Sequence, residues 1–271
     1  MSSAPVLPGP APLSWTHIML QRFDRRAERV AAPACVLDPA TAASVAPGHV
    51  AVIPDGNRRW ARAQGLPVAA GHRQGFLVTA PAILDRLFER GCQCVSLWLF
   101  STDNWRRSPE EVADLMAIYR AFMGVLQPLC ERRNLRVLHW GRRDRVPADL
   151  MGALDDLCDR TQDHGAGQLV LALDYGGADM LLTTVRALAA EGRLPEDDAA
   201  LLRRLTGLPA SIPPMDLVLR TSGEQRLSGF APLSAATAEL CFVDTCFPGL
   251  TAAQIDAFVD DFARRERRGG V

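Results

Sequence analysis

The stretch HVAVIPDGNRRWARAQGLPVAAGHRQG, His49 to Gly75, decides how the chain is read. It opens as a short apolar run, Val50 to Ile53, breaks at Pro54-Asp55-Gly56-Asn57, and continues at once as a helix-compatible run from Arg58 to Gln64. A strand that turns directly into a helix presents unpaired backbone N–H groups at the positive end of the helix dipole, where proteins hold phosphate. The turn also carries a carboxylate, Asp55, and the helix carries Arg58, Arg59 and Arg62. One acid among arginines at such a turn suits a divalent cation bridging to a polyphosphate. The pattern is not a Walker loop, since G-x-x-x-x-G-K-[ST] is absent. A capped helix with a solvated basic face is the plainer reading of the same residues.

Outward from this stretch, strand-like and helical segments alternate. Strands are expected at Val50–Ile53, Val95–Phe100, Leu135–Trp140, Leu169–Leu173, Leu217–Leu219 and Leu240–Val243. Most are continuous apolar runs, as expected for strands covered by helices on both faces. Helices are expected at Gly75–Arg90, Pro109–Arg133, Ala148–His164, Asp179–Glu191 and Thr251–Arg268, with a shorter one at Glu196–Leu205. Pro109-Glu110-Glu111 is a favourable helix start, with proline in the first turn and acids at the positive end. The pattern predicts an α/β fold: a single domain whose mostly parallel six-stranded sheet is flanked by helices. Residues 1–13 read as a loose tail, Ser14 to Val30 as an amphipathic helix, and 31–48 as irregular linker.

Bulk composition narrows the partners. The 271 residues are 48% apolar, ample for a core, and the net charge of −1 makes a nucleic-acid partner unexpected. All 30 basic residues are arginine, so any cationic site is built from guanidinium groups. Seven scattered cysteines without C-x-x-C read as small apolar groups in a reducing cytoplasm. No apolar run reaches about 18 residues, and no basic segment followed by an apolar core marks a signal peptide, so neither a membrane span nor secretion is expected.

Open α/β sheets bind ligands beyond the carboxyl ends of their strands. The segments there are Asp55-Gly56-Asn57, then Ser101-Thr102-Asp103-Asn104-Trp105-Arg106-Arg107, then Asp174-Tyr175-Gly176-Gly177, and RTSGEQRLS from Arg220 to Ser228. In the last, Arg220 and Arg226 flank a Ser-Gly turn, and two planar forks with nearby hydroxyls can surround a diphosphate. A surface turn with Glu224 paired to either arginine is the alternative. The FSTDNWRR loop is equally able to cap the helix behind it, with Ser108 as the cap. His72, between Gly71 and Arg73, is either structural or a phosphate contact. Glu239, just before the last strand, is an ion-pair partner or a metal ligand.

Read together, DGNRRWA, G-H-R-Q-G, FSTDNW, DYGG, RTSGEQRLSGF, AEL-x-F-x-D and RERRGG, in that order over residues 49 to 270, resemble the cis-prenyltransferases, the undecaprenyl (Z-isoprenyl) diphosphate synthase family. The resemblance implies a homodimeric α/β enzyme joining isopentenyl diphosphate to an allylic diphosphate with Mg2+. It divides the chain into an N-terminal segment, 1–48, and a catalytic domain, 49–271. It implies that Asp55 holds Mg2+ against the allylic diphosphate, with Gly56, Asn57, Arg58, Arg59, Trp60 and His72 completing that pocket. Arg220, Arg226 and Ser228 match the isopentenyl diphosphate site, and Glu239 matches the acid near the metal. Ser101, Asn104 and Arg107 match residues of substrate orientation and proton loss; the base itself is open between Asn104 and a substrate phosphate oxygen. Arg268 and Gly270 match an ending that reaches the neighbouring subunit's site.

Several positions depart from the family pattern. Asp103 stands where glutamate is usual, Ala178 where arginine is, and Leu233, Ser234 and Thr237 replace Trp, Gln and Tyr. Leu99 stands where long-chain members carry a small residue, which implies a short product, about C10 to C20, because added bulk narrows the apolar tunnel. The alternative is that Leu99 simply packs in the core. Competing functions are lavandulyl-type coupling of dimethylallyl units, long-chain synthesis, and a non-catalytic subunit of a heteromeric synthase; retention of Asp55 opposes the last.

Overall fold

A computed structural model describes residues 46–266 of the chain. Six strands form one sheet in the order β3-β4-β2-β1-β5-β6, and all five pairings are parallel. The strands are β1 His49–Ile53, β2 Cys94–Ser101, β3 Leu135–Trp140, β4 Gly167–Tyr175, β5 Leu217–Arg220 and β6 Glu239–Phe242. Every residue of β1 and β5 is buried, which is why these strands read as unbroken apolar runs. The helices are α1 Asn57–Ala63, α2 Val68–Arg73, α3 Ala80–Glu89, α4 Pro109–Arg133, α5 Ala148–Arg160, α6 Gly177–Glu191, α7 Asp198–Thr206 and α8 Ala252–Arg264. One large apolar core joins one face of the sheet to α3, α4, α5 and α8, and a smaller one around Trp140, Tyr175 and Phe230 covers the other.

Most expected elements stand within a few residues of their places. The largest difference is the helix expected to start at Gly75. It starts at Val68 as α2, passes through a π-turn, Gln74–Thr79, and continues as α3. Glycine is a poor helix former, so Gly71 reads as a break, but tertiary packing requires it: a Cβ there would lie 2.1 Å from the Asn57 carbonyl oxygen. The helix after Ala148 ends at Arg160 rather than His164. The amphipathic helix expected over 14–30 lies outside the described residues, as do Arg268 and Gly270. All six cysteines among the described residues are free, and burial pushes the thiols of Cys92, Cys94 and Cys130 up to about 12.

The chain leaves β1 with β2 on one side and β5 on the other. Strand order therefore reverses at β1, and the crevice at its carboxyl end is the position where such sheets take ligands.

Candidate active site

The turn after β1 is fixed from both sides. The Asp55 N–H donates to Thr221 Oγ1 at 2.8 Å, and that hydroxyl donates to the Asp55 carbonyl at 2.7 Å. Gly56 sits at φ 94°, and a Cβ there would lie 2.6 Å from the Ser222 Cβ, so both the left-handed backbone and the close approach demand glycine. The Asp55 carboxylate accepts from the Gly56 N–H at 2.7 Å on one oxygen and from Arg220 Nη2 at 2.9 Å on the other. Arg220 is buried and also donates to Ser228 Oγ at 2.8 Å and to the Arg226 carbonyl. Arg59 reaches across from α1 to the Ser222 carbonyl at 2.9 Å and to Glu224 at 3.0 Å. The first and fifth strands thus place one carboxylate between two arginines.

Below this turn opens a cavity of about 470 Å3. Its mouth carries Asp55, Arg58, Arg59, Arg62, Arg107 and Arg220. Asn57, His72, Ser101, Asn104 and Ser228 also line it. Its apolar lining is Phe76, Leu99, Phe100 and Tyr119, which belong to the large core, with Ile53 and Trp98 from the smaller one. Buried polar groups without a hydrogen-bond partner are rare, because each costs about 1–3 kcal/mol. Among the described residues four such side-chain atoms occur, Asn57 Oδ1, His72 Nδ1, His72 Nε2 and Arg220 Nε, and all belong to cavity-lining residues. Burial, with Arg107 and Arg58 adding to it, pushes the His72 imidazole down to about 4, so it is neutral at pH 7.

The structure brings together most of the residues singled out from the sequence. Asn104 does so through a capping box: its side-chain oxygen accepts from the Ser101 N–H at 3.0 Å, which holds the turn Thr102–Arg106 against the mouth. Ser108 caps α4, as the sequence suggests. Three residues stand elsewhere than expected. Arg226 projects into solvent and pairs with Glu224 at 2.5 Å, because its backbone carbonyl, not its guanidinium, is turned toward Arg220. Trp60 does not line the cavity; its indole lies against Gly249. Leu99 does line it, and its carbonyl accepts from the Tyr119 hydroxyl. Glu239 is level with Leu217 at the start of β5, whereas Asp55 bonds Arg220 at its end. At about 3.3 Å per residue that separates them by roughly 10 Å along the strands. Glu239 pairs instead with Arg265 at 2.9 Å, so one chain does not bring the two acids together.

Glu111 is the residue the sequence reading missed. Its Oε1 lies 3.0 Å from Arg107 Nη1 and 3.9 Å from both Arg58 Nε and His72 Nε2, joining three cation-forming groups of the mouth. As an acid in the first turn of α4 it reads as a helix-dipole partner, a role it keeps.

The donor set can be tested against Mg2+. No group of three or more His, Cys, Asp or Glu suited to a metal occurs among the described residues. Mg2+, however, keeps several waters and is commonly held by one or two carboxylates together with substrate phosphates. Asp55, the one acid lining the cavity and one-third exposed, has spare lone pairs on both oxygens and fits that mode.

A single carboxylate among arginines above an apolar chamber, at the switch point of a parallel sheet, defines a protein built for an anionic head with an apolar tail. Comparison with known proteins makes this specific. Residues 53–270 match the family model described as "Putative undecaprenyl diphosphate synthase". The isoprenyl transferase of Zymomonas mobilis is 39% identical over 237 residues, covering 86% of this chain and 95% of that protein. The isoprenyl transferase of Aquifex aeolicus is 36% identical, with coverage of 83% and 96%. Lavandulyl diphosphate synthase from Lavandula x intermedia, solved with dimethylallyl diphosphate, superposes with a TM-score of 0.78 at 30% identity, covering 83% of this chain and 99% of that one. A probable undecaprenyl diphosphate synthase from Campylobacter jejuni gives a TM-score of 0.69 at 26% identity, with the same coverages. The chain belongs to the undecaprenyl diphosphate synthase family of cis-prenyltransferases and is a prenyltransferase.

Proposed function

We propose that residues 49–271 condense isopentenyl diphosphate with an allylic diphosphate to give a short-chain Z-isoprenyl diphosphate, of about C10 to C20, with Mg2+ as cofactor. The observation that carries this reading is the cavity itself, an arginine-and-carboxylate mouth over an apolar end walled by Leu99, Phe76 and Tyr119. In the reaction the allylic carbon–oxygen bond breaks and diphosphate leaves. The terminal alkene carbon (C4) of isopentenyl diphosphate forms the new carbon–carbon bond, positive charge develops at C3, and loss of a proton from C2 leaves the new C2=C3 double bond.

The leaving diphosphate gathers charge as the bond breaks, and fixed positive groups in a water-poor site favour that change. Arg58, Arg59 and Arg62, with the α1 backbone, face it at the mouth. His72 and Asn57 carry polar atoms that lack a partner, and a bound phosphate oxygen or its water supplies one. Mg2+, when held by Asp55, supplies further neutralisation of diphosphate charge. Arg220 and Ser228 orient the second diphosphate, and Arg107 and Asn104 close the side between α4 and the turn after β2. The apolar walls exclude water from the cation-like centre. Asn104 is not a base, and its oxygen is already engaged by Ser101, which leaves a substrate phosphate oxygen as the better proton acceptor.

Two copies are expected to pair. Leu182, Val185, Leu194 and Leu202 on and around α6 and α7 are each at least half exposed, and an apolar surface of this kind marks an association site. No helix among the described residues is long and apolar enough to cross a membrane, and free cysteines suit a reducing cytoplasm.

A second reading, irregular coupling of two dimethylallyl units, draws on the likeness to lavandulyl diphosphate synthase. One incubation series separates them: Mg2+ with isopentenyl diphosphate and, in turn, dimethylallyl, geranyl or farnesyl diphosphate, followed by mass spectrometry. Product requiring isopentenyl diphosphate supports the first reading. Product from dimethylallyl diphosphate alone supports the second. No product until a partner protein is added identifies a heteromeric subunit.

A further inference from the structure

The helix beside the cavity is interrupted by the π-turn Gln74–Thr79. Turns of this kind are rare, arise as single wide turns within α-helices, and gather at functional sites. Here three of its side chains or backbone faces are buried, and each meets a different part of the site. Gly75 abuts the mouth: a Cβ there would lie 2.4 Å from Asn57 Oδ1. Thr79 donates its hydroxyl to the Pro248 carbonyl at 2.9 Å, which ties the far end of the turn to the segment Phe247–Gly249. Between them Phe76, 1% exposed, lines the apolar end of the cavity.

The Phe76 ring is held on three sides. Tyr119 from α4 meets it edge-on with ring centres 5.0 Å apart, and Phe122 and Phe247 lie at 5.9 Å each. The edge-to-face contacts with Tyr119 and Phe122 fix ring orientation beyond simple burial. Tyr119 is itself anchored, since its hydroxyl donates to the Leu99 carbonyl. Phe122 and Phe247 do not line the cavity; they stand behind Phe76. The ring therefore stands between the chamber and the aromatic side chains packed behind it. A tail that reaches this part of the cavity meets a ring already packed by its neighbours.

We propose that Phe76, presented by the π-turn and braced by Tyr119, is the specificity-determining floor that limits the length of the isoprenoid tail. This rests on the prenyltransferase reading above and adds the residue that sets the limit. Replacing phenylalanine by alanine removes about six ring carbons, close to the roughly five carbons of one isoprene unit, so loss of the ring opens room for one more unit. Leu99, from β2, is a second wall of the same chamber.

The test is calorimetric binding of dimethylallyl, geranyl, farnesyl and geranylgeranyl diphosphates to the full-length protein and three variants, with product length measured by mass spectrometry in parallel. For wild type, affinity should rise with tail length and then fall at a limit. In Phe76→Ala that limit should move outward by one unit, with about tenfold or greater gain for the first tail that wild type rejects. Phe76→Leu should move it in the same direction, and it carries the test if the alanine variant does not fold. Phe122→Ala, which opens space behind the ring, should leave the limit unchanged. A folded Phe76 variant with the wild-type limit overturns the proposal while leaving the prenyltransferase reading intact, as does a limit that moves equally in Phe122→Ala. A wild-type protein that binds none of these diphosphates overturns both.

Discussion

At the mouth of the cavity Asp55, Gly56, Asn57 and Arg58 follow one another in sequence, and Arg220 and Ser228 come from the end of β5 and the loop after it. At its inner end Phe76, Leu99 and Tyr119 come from the π-turn, β2 and α4, with no motif linking them. The mouth is held by directional bonds between charged and polar groups; the floor is held by ring contacts and close packing. The proposed function assigns chemistry to the first and selectivity to the second. Changes at the mouth should therefore alter rate at constant product, and changes at the floor should alter product at nearly constant rate.

The largest expected effect lies at the mouth. Asp55→Ala should lower kcat by about a thousandfold or more, and chelation of Mg2+ from wild type should do the same. Steady-state kinetics on a variant shown to be folded by circular dichroism checks this, and retained turnover removes the metal role. Next come the two arginines of RTSGEQRLS, whose environments differ. Arg220 is buried and bonded to Asp55 and Ser228, so Arg220→Ala should weaken kcat/KM for isopentenyl diphosphate by about 10- to 100-fold. Arg226 is 62% exposed and paired with Glu224, so Arg226→Ala should cost about fivefold or less. Equal losses would show that Arg226 swings inward when substrate binds.

At the inner end Leu99→Ala should lengthen the product with less than about a threefold change in turnover, as read by mass spectrometry. An unchanged length distribution would make Leu99 a core residue only. The smallest effect is on stability. The folded-state pKa of His72, about 4, is below the ordinary value of 6.5, so between those values the unfolded chain binds more protons. Stability should therefore fall as pH drops from about 6.5 toward 4, with His72 contributing at most about 3 kcal/mol. Burial lowers His49 and His139 in the same direction. Thermal denaturation of His72→Asn should show a shallower slope across this window than wild type. An identical slope would assign the effect to the other two histidines.

What was legible in the sequence divides along the same line. The β1 turn could be read because an apolar run, a turn with a carboxylate and a basic helix are contiguous, so local chemistry and position coincide. Glu239 shows where that breaks down. It precedes the last strand, and in an all-parallel sheet the start of a strand lies away from the ligand edge; topology, not residue type, places it with Arg265. Glu111 was hidden because one acid serves two purposes, capping-turn electrostatics and the cluster with Arg107, Arg58 and His72. Phe76 gave no signal at all. A π-turn disrupts the helical period around it, and a phenylalanine facing a cavity has the same sequence signature as one facing the core.

The most direct measurement is the product of the wild-type protein itself. With Mg2+, isopentenyl diphosphate and an allylic diphosphate, the cavity described here should yield a Z-isoprenyl diphosphate that stops at about C10 to C20, identified by chromatography, mass and double-bond geometry. A product of carrier-lipid length, about C50 or more, would contradict a closed floor, and turnover of dimethylallyl diphosphate alone would contradict the assignment of Arg220 and Ser228 to a second, different diphosphate.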